Sequence, residues 1–322
     1  MRTLFTLLIA CCLTVTAHAQ NVHATDVNFT GPLITPNPTA LSPHALLLEP
    51  YLVYAETTGS YDGQGHHHDT PYGAHQWQLL LPMSFGIIDR LTGHLSVGTA
   101  HKAAAGQHSD GWRATDTTAK LQYMVLAPNA DKTTPSLSVA VAHRFATGAY
   151  DRLDANPLNG TGSGAARNRL SVYAQQYFWL ANGRPLRWRV LGAWSPEPSR
   201  ANLTGMSVYD TPPSFHGYVQ LGTSASISSS LEYSIDRHWV LVMEAAWDRE
   251  NQAHLRGWQC IRGAACVAVN RDSPANWVYS VAPAIEYNFS GSMGLIAGAQ
   301  ASVAGHHNGA FLNPQVALNM VF

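Results

Sequence analysis

Eleven ionisable residues recur at positions that would bring their side chains to one face: Glu49, Asp116, Glu232, Glu244, Asp248 and Glu286, against Lys120, Arg144, Arg169, Arg187 and Arg189. Each falls on the polar parity of a segment in which apolar and polar residues alternate. Charges gathered in this way either pair with one another and stiffen a wall, or line a constriction that selects a solute. Six acids nearly cancel five bases, so the count by itself favours neither strong anion nor strong cation selection.

Histidine is the second candidate chemistry, with 16 in the chain. His66, His67, His68, His306 and His307 fall in or beside connections between the alternating segments. Neutral imidazole ligates zinc, copper and nickel, so these five form a candidate transition-metal rim. The plainer reading is solvated loop histidine, since three or four ligands must converge for a metal to bind. Cys260 and Cys266 are the third feature. An even pair in an exported chain reads as a disulfide, whereas a metal site would call for a second pair of cysteines. No nucleophile constellation stands out. Gly162-Ser163-Gly164 lacks the G-x-S-x-G spacing, and His108-Ser109-Asp110 lies in a loop. The chain reads as a non-enzyme that needs no cofactor.

Strands must position these groups. From Trp239 to Trp247 the odd positions Trp239, Leu241, Met243, Ala245 and Trp247 are apolar, with Glu244 between them; this is the period of two that marks a strand. The longest such run is Phe215 to Ile235. Twelve segments share the pattern: 46–58, 74–87, 91–101, 114–127, 136–147, 168–181, 186–195, 215–235, 238–251, 276–289, 293–304 and 311–322. Pro50, Pro82, Pro283 and Pro314 conflict with regular ladders and are expected at bulges or rims. The connections alternate between short turns, such as Ile88-Asp89-Arg90, and long loops, such as 148–167. Aromatic residues cluster towards the strand ends. Together these features predict an all-β, up-and-down antiparallel transmembrane barrel of about twelve strands, with both termini on the short-turn side.

The flanking segments and the composition agree. Residues 1–19 read as a signal peptide, with Arg2, an apolar stretch from Leu4 to Val15 and the Ala17-His18-Ala19 cleavage pattern. Residues 20–45 carry four prolines and no periodicity, and read as an extended periplasmic leader before a barrel spanning 46–322. Charged residues make up only 12% of the chain and the net charge is −1. Nucleic acid is therefore not an expected partner, and the mature part has no apolar run of helical membrane-spanning length. The expected location is the outer membrane of a Gram-negative bacterium.

The stretch from Trp277 to Gly309, WVYSVAPAIEYNFSGSMGLIAGAQASVAGHHNG, together with Pro314 to Phe322, resembles the outer-membrane barrel family named for the meta-pathway of phenol degradation. Leu48-Glu49-Pro50-Tyr51 and the segment Asp116 to Leu126 are similar to it as well. The resemblance implies a small transporter-like barrel and no catalytic residue. Leu318, Met320 and Phe322, alternating at the C-terminus, also resemble the signal read by the barrel-assembly machinery. An unpaired apolar strand is what a strand-adding factor can capture. The reading is a channel for a small solute, of the aromatic or hydrophobic kind that the resemblance implies, in contact with outer-membrane lipid. The alternatives are metal capture at the histidine-rich loops, and a structural barrel with a closed lumen.

Overall fold

The computed structural model describes residues 27–70, 73–153, 156–260 and 265–322. The expected signal peptide and its cleavage site lie outside these residues.

Twelve antiparallel strands close into a barrel: β1 (Leu46–Leu48, resumed at Tyr51–Tyr61), β2 (His75–Ile88), β3 (Leu91–Ala104), β4 (Thr117–Leu126), β5 (Ser136–Phe145), β6 (Arg167–Trp179), β7 (Pro185–Ser195), β8 (Ser224–Ser234), β9 (Trp239–Glu250), β10 (Asn276–Asn288), β11 (Met293–His306) and β12 (Asn308–Val321). Each strand pairs with its neighbours in sequence, and β12 returns to β1 through Met320↔Leu48 and Val316↔Leu52. Phe322 completes the closure by exchanging both backbone hydrogen bonds with Leu46. No edge is left in the barrel, as lipid demands of any β-structure that crosses it.

The alternation sorts the side chains. Leu121, Val141, Leu170, Ile227, Leu241 and Met243 are exposed on the outer surface, while Gln122, Ser138, Ser230 and Glu244 are buried inside. Two aromatic belts bound this apolar band. Trp77, Trp194 and Trp277 lie at the long-loop end, and Trp239, Tyr287 and Phe289 at the short-turn end. On β9, Trp239 and Trp247 are separated by about 26 Å of strand, or about 20 Å along the membrane normal at the usual tilt.

The prolines sit where the ladder is interrupted. Pro50 divides β1, and Pro82 lies opposite that same gap, between the pairs Leu48↔Met83 and Tyr51↔Leu80. Pro283 and Pro314 coincide with missing pairs on the β10–β11 and β12–β1 seams.

Two expectations change. The run 215–235 is not one strand. It breaks at 221–223, and Phe215–Gln220 joins a second, four-stranded sheet with Ala201–Thr204, Ala253–Cys260 and Cys266–Ser273. The β8–β9 register carries on into this sheet, from Ser224↔Glu250 to Gln220↔His254. Phe215, expected on the lipid face, is fully buried with Leu203, Val219 and Leu255. Alternation marks one buried face without saying whether lipid or another protein layer covers it.

The second change concerns the leader. Its described part is extended, but it lies within the barrel. From Asn28 beside the Arg237 carbonyl it rises to Thr35, level with Ser228 in the middle of β8. It then descends past Gln122 and Ser138 to Leu41 and the start of β1. Contact with the wall is close. A Cβ on Gly294 would stand 1.9 Å from Thr30 Oγ1, and one on Gly86 1.9 Å from the Ser42 carbonyl oxygen. Alanine at either position would push the leader off the wall.

Candidate functional site: the barrel lumen

Polar residues on the inner parity of each strand make the lumen. Its charges are sorted by arc. Lys120, Arg144, Arg167, Arg169, Arg187 and Arg189 occupy β4 to β7, and Glu232, Glu244, Asp248, Glu250 and Glu286 occupy β8 to β10. The arcs meet where β7 pairs with β8. There the Arg187 guanidinium donates to both carboxylate oxygens of Glu232, from Nε at 3.0 Å and from Nη2. Arg189 Nε lies 3.3 Å from Glu232 Oε1 and donates to Gln175 at 2.8 Å. All three charged residues are buried. A buried carboxylate needs this density of donors to offset its lost hydration.

The other two buried acids hold the leader. Glu286 accepts the backbone N–H groups of Thr30 and Gly31 at 2.7 and 3.1 Å. Glu244 accepts those of Leu33, Ile34 and Thr35 at 2.7 to 3.1 Å. An extended segment outside any sheet leaves its N–H groups without ladder partners, and carboxylates from the wall supply the acceptors. Phe29 anchors the same segment, its ring lying 3.9 Å beneath the Arg187 guanidinium, within cation–π range.

The loop-side mouth uses its charges differently. Asp116 accepts the N–H groups of Gly148 and Ser163, both at 3.0 Å, and Arg144 lies 3.7 Å from it. These contacts hold Gly148 and Ser163 of the loop against the rim. Arg167 pairs with Glu250 at 3.0 Å and bonds Ser224 at 2.7 Å. Asp248 lines the upper cavity with Arg167 and Arg169. Glu49 lies in the β1 interruption and accepts from Asn319 at 2.8 Å.

Two of four cavities among the described residues share part of their walls. The upper one, about 450 Å³, lies inside the mouth, and the lower one, about 570 Å³, runs beside the leader. Their walls share Thr118, Ala142 and Arg169. Lys120 faces the lower cavity, with its ammonium 5.2 Å from the Tyr173 ring centre.

The histidine expectation is not met. Among the described residues, no three His, Cys, Asp or Glu side chains are set to hold a metal ion. His67–Asp69 folds back on Gly59–Tyr61 as a strand, so successive imidazoles point to opposite sides. His68 and His66 lie 2.9 and 3.4 Å from the Asp62 carboxylate, while His67 turns to the Tyr61 ring and Asp69. The bond from His68 and the backbone N–H groups of His66 and Gln64 hold Asp62 well below the usual carboxylate range. His306 ends β11 and His307 is the one-residue turn before β12, with their rings at 80°. In the outer sheet Cys260 and Cys266 face each other and are joined by a disulfide, leaving no thiol pair for a metal.

Arg167 and Glu250 were missed, although each lies two residues from a chosen neighbour on the same parity. No periodic signal marked Thr30 to Thr35, whose contacts run through backbone amides.

Sheet closure, belt and filled lumen together define an outer-membrane β-barrel. Among solved structures it is similar to the COG4313 outer membrane channel from Pseudomonas putida F1, with a TM-score of 0.65 and 14% identity, covering 90% of this chain and all of that one. The NanC porin gives a TM-score of 0.47 at 8% identity, covering 85% of this chain and 98% of that one. The deltaS2 mutant of the TodX monoaromatic hydrocarbon channel gives 0.39 at 9%, covering 88% and 91%. No model of a known protein family matches the chain, and no curated protein does.

Proposed function

We propose that the chain is an outer-membrane channel for a small solute, and that the solute passes beside its own N-terminal segment. The observation that carries this reading is the pair of cavities meeting at Thr118, Ala142 and Arg169, on the side of the lumen that the leader leaves free. A twelve-stranded barrel has an interior between one filled by side chains and one wide enough for open water, so a half-filled lumen with a side passage suits its size. The likeness to a crystallised outer membrane channel over nine-tenths of the chain supports the same reading.

An aromatic or hydrophobic solute, as the phenol-pathway resemblance implies, fits the lower cavity. Tyr51, Leu80, Tyr173 and Leu191 line it alongside polar groups. Leu318, Met320 and Phe322 would then serve insertion by the assembly machinery, with Phe322 finally bonded to Leu46.

The test is conductance of the refolded mature protein in a planar lipid bilayer. Discrete, small current steps are expected in potassium chloride. A folded barrel that gives no steps, and gives none when residues 27–41 are removed, would overturn the channel reading and leave a structural barrel.

A further inference from the structure

Lys120 and Arg169 stand apart from the rest of the basic arc. Arg187 and Arg189 are tied to Glu232, Arg167 to Glu250 and Arg144 to Asp116. Lys120 and Arg169 make no ion pair with any described residue; Lys120 bonds Gln122 at 3.2 Å, and Arg169 bonds the Ser226 hydroxyl. They are also neighbours. The registers Lys120↔Ala142 and Ala142↔Arg169 set them on either side of one small residue, in one inward-facing row. The row continues through His94↔Lys120 and Ser84↔His94. His94 Nδ1 bonds Ser84, and its Nε2 has no partner among the described residues.

Of the carboxylates near this row three are engaged elsewhere, and Asp248 faces Arg169 from the upper cavity. Glu232 holds two arginines, and Glu244 and Glu286 hold leader amides. Glu49 is the acid lining the same cavity, against Lys120, Arg169, Arg189 and His94. The lower cavity, which Asp248 does not line, is therefore cationic, although the lumen as a whole is close to neutral. Its apolar lining comes from Leu33 and Ile34 of the leader and from Tyr51, Leu80, Tyr173 and Leu191 of the wall.

We infer that Lys120 and Arg169, with His94 beside them, form the binding row for an organic monoanion, an aromatic carboxylate being the class that matches the cavity. The carboxylate takes charge-assisted hydrogen bonds from the two cations, each stronger than a neutral one. The ring lies over Ala142 against the apolar wall. A backbone spacing of about 10 Å between β4 and β6 leaves room for a carboxylate between the two cations. This inference rests on the channel reading and names its solute.

The test uses the full mature protein, refolded in detergent, with benzoate, phenol and benzylamine compared by calorimetric titration near neutral pH. Benzoate should bind, and the other two at least about tenfold more weakly, as expected for loss of charge-assisted bonds. Lys120→Gln with Arg169→Gln should weaken benzoate by about tenfold or more, while Lys120→Arg with Arg169→Lys should retain it. Phenol or benzylamine binding as tightly as benzoate would overturn the inference, and this comparison needs no variant to fold. Unchanged benzoate affinity in the neutral double variant would also overturn it. Reversal potentials in bilayers separate the two readings. Benzoate binding without current removes the channel and keeps the site; current without preference for benzoate over benzylammonium keeps the channel and removes the site.

Discussion

The two arcs of the lumen wall use their charges in opposite ways. On β8 to β10 the buried carboxylates are saturated: Glu232 by two guanidinium groups, Glu244 and Glu286 by five backbone N–H groups of the leader. On β4 to β6, Lys120 and Arg169 face a cavity with no ion-pair partner. Only acceptors can satisfy the amides of an extended segment, so residues 30–35 settle on the acidic side, while Asn37 and Pro38 offer carbonyls to Gln122 and Ser138 on β4 and β5. A lumen that is neutral by count thus carries a field across it. Pairing sets the charge of the free passage, and the sum does not reveal it.

The comparison can be broken most directly by removing the leader. Deleting residues 27–41 should raise single-channel conductance severalfold and weaken anion preference, because Glu244 and Glu286 would then face open water. Unchanged conductance and selectivity would mean that the leader does not divide the lumen. Next in size is Glu232→Gln, which leaves Arg187 and Arg189 buried without a carboxylate. Breaking a buried ion pair of this kind costs about 3–5 kcal/mol. Denaturant unfolding in micelles should show the loss, whereas Lys120→Gln, which breaks no ion pair, should leave stability nearly unchanged. Glu244→Ala should cost less, about 1–3 kcal/mol for the unsatisfied donors. Its effect should be local: faster protease cleavage within residues 33–35 and noisier current through an intact barrel.

The smallest effect lies outside the membrane. Hydrogen bonds from Arg256 and His254 lower Asp272 to about 2, from an ordinary value of 3.8. A carboxyl whose folded pKa is depressed adds stability above its unfolded pKa and loses it as pH falls towards the folded one. Pepsin nicking of the outer sheet should therefore increase as pH falls from about 4 towards 2, and Asp272→Asn should flatten that rise. Equal nicking across this range would contradict the pairing.

Much of the barrel was legible in the residues. Period-two alternation located all twelve strands, most to within two or three residues, because one face of each is apolar for a single physical reason. Alternation failed at Phe215, where the apolar face meets protein. The ionisable positions were found by parity, but their partners were not, since pairing depends on register. Nothing in the spacing shows that Lys120 and Arg169 flank Ala142, or that Arg187 meets Glu232. The leader was read as periplasmic because its bonds to Glu244 and Glu286 come from backbone amides, which any sequence provides. For the histidines a count does not give convergence: strand pairing turns His67 away from His66 and His68.

The central claim is that solute moves beside a leader that stays in place. Thr35 Oγ1 and Ser228 Oγ lie 3.1 Å apart, so Thr35→Cys with Ser228→Cys can lock the leader's innermost point to β8. Single-channel current would be recorded before and after reduction of that bond. The account predicts small, anion-preferring steps with the bond closed and little change on opening it. Current that is absent while the bond is closed and appears only on reduction would contradict it, because the leader would then have to leave before anything could pass.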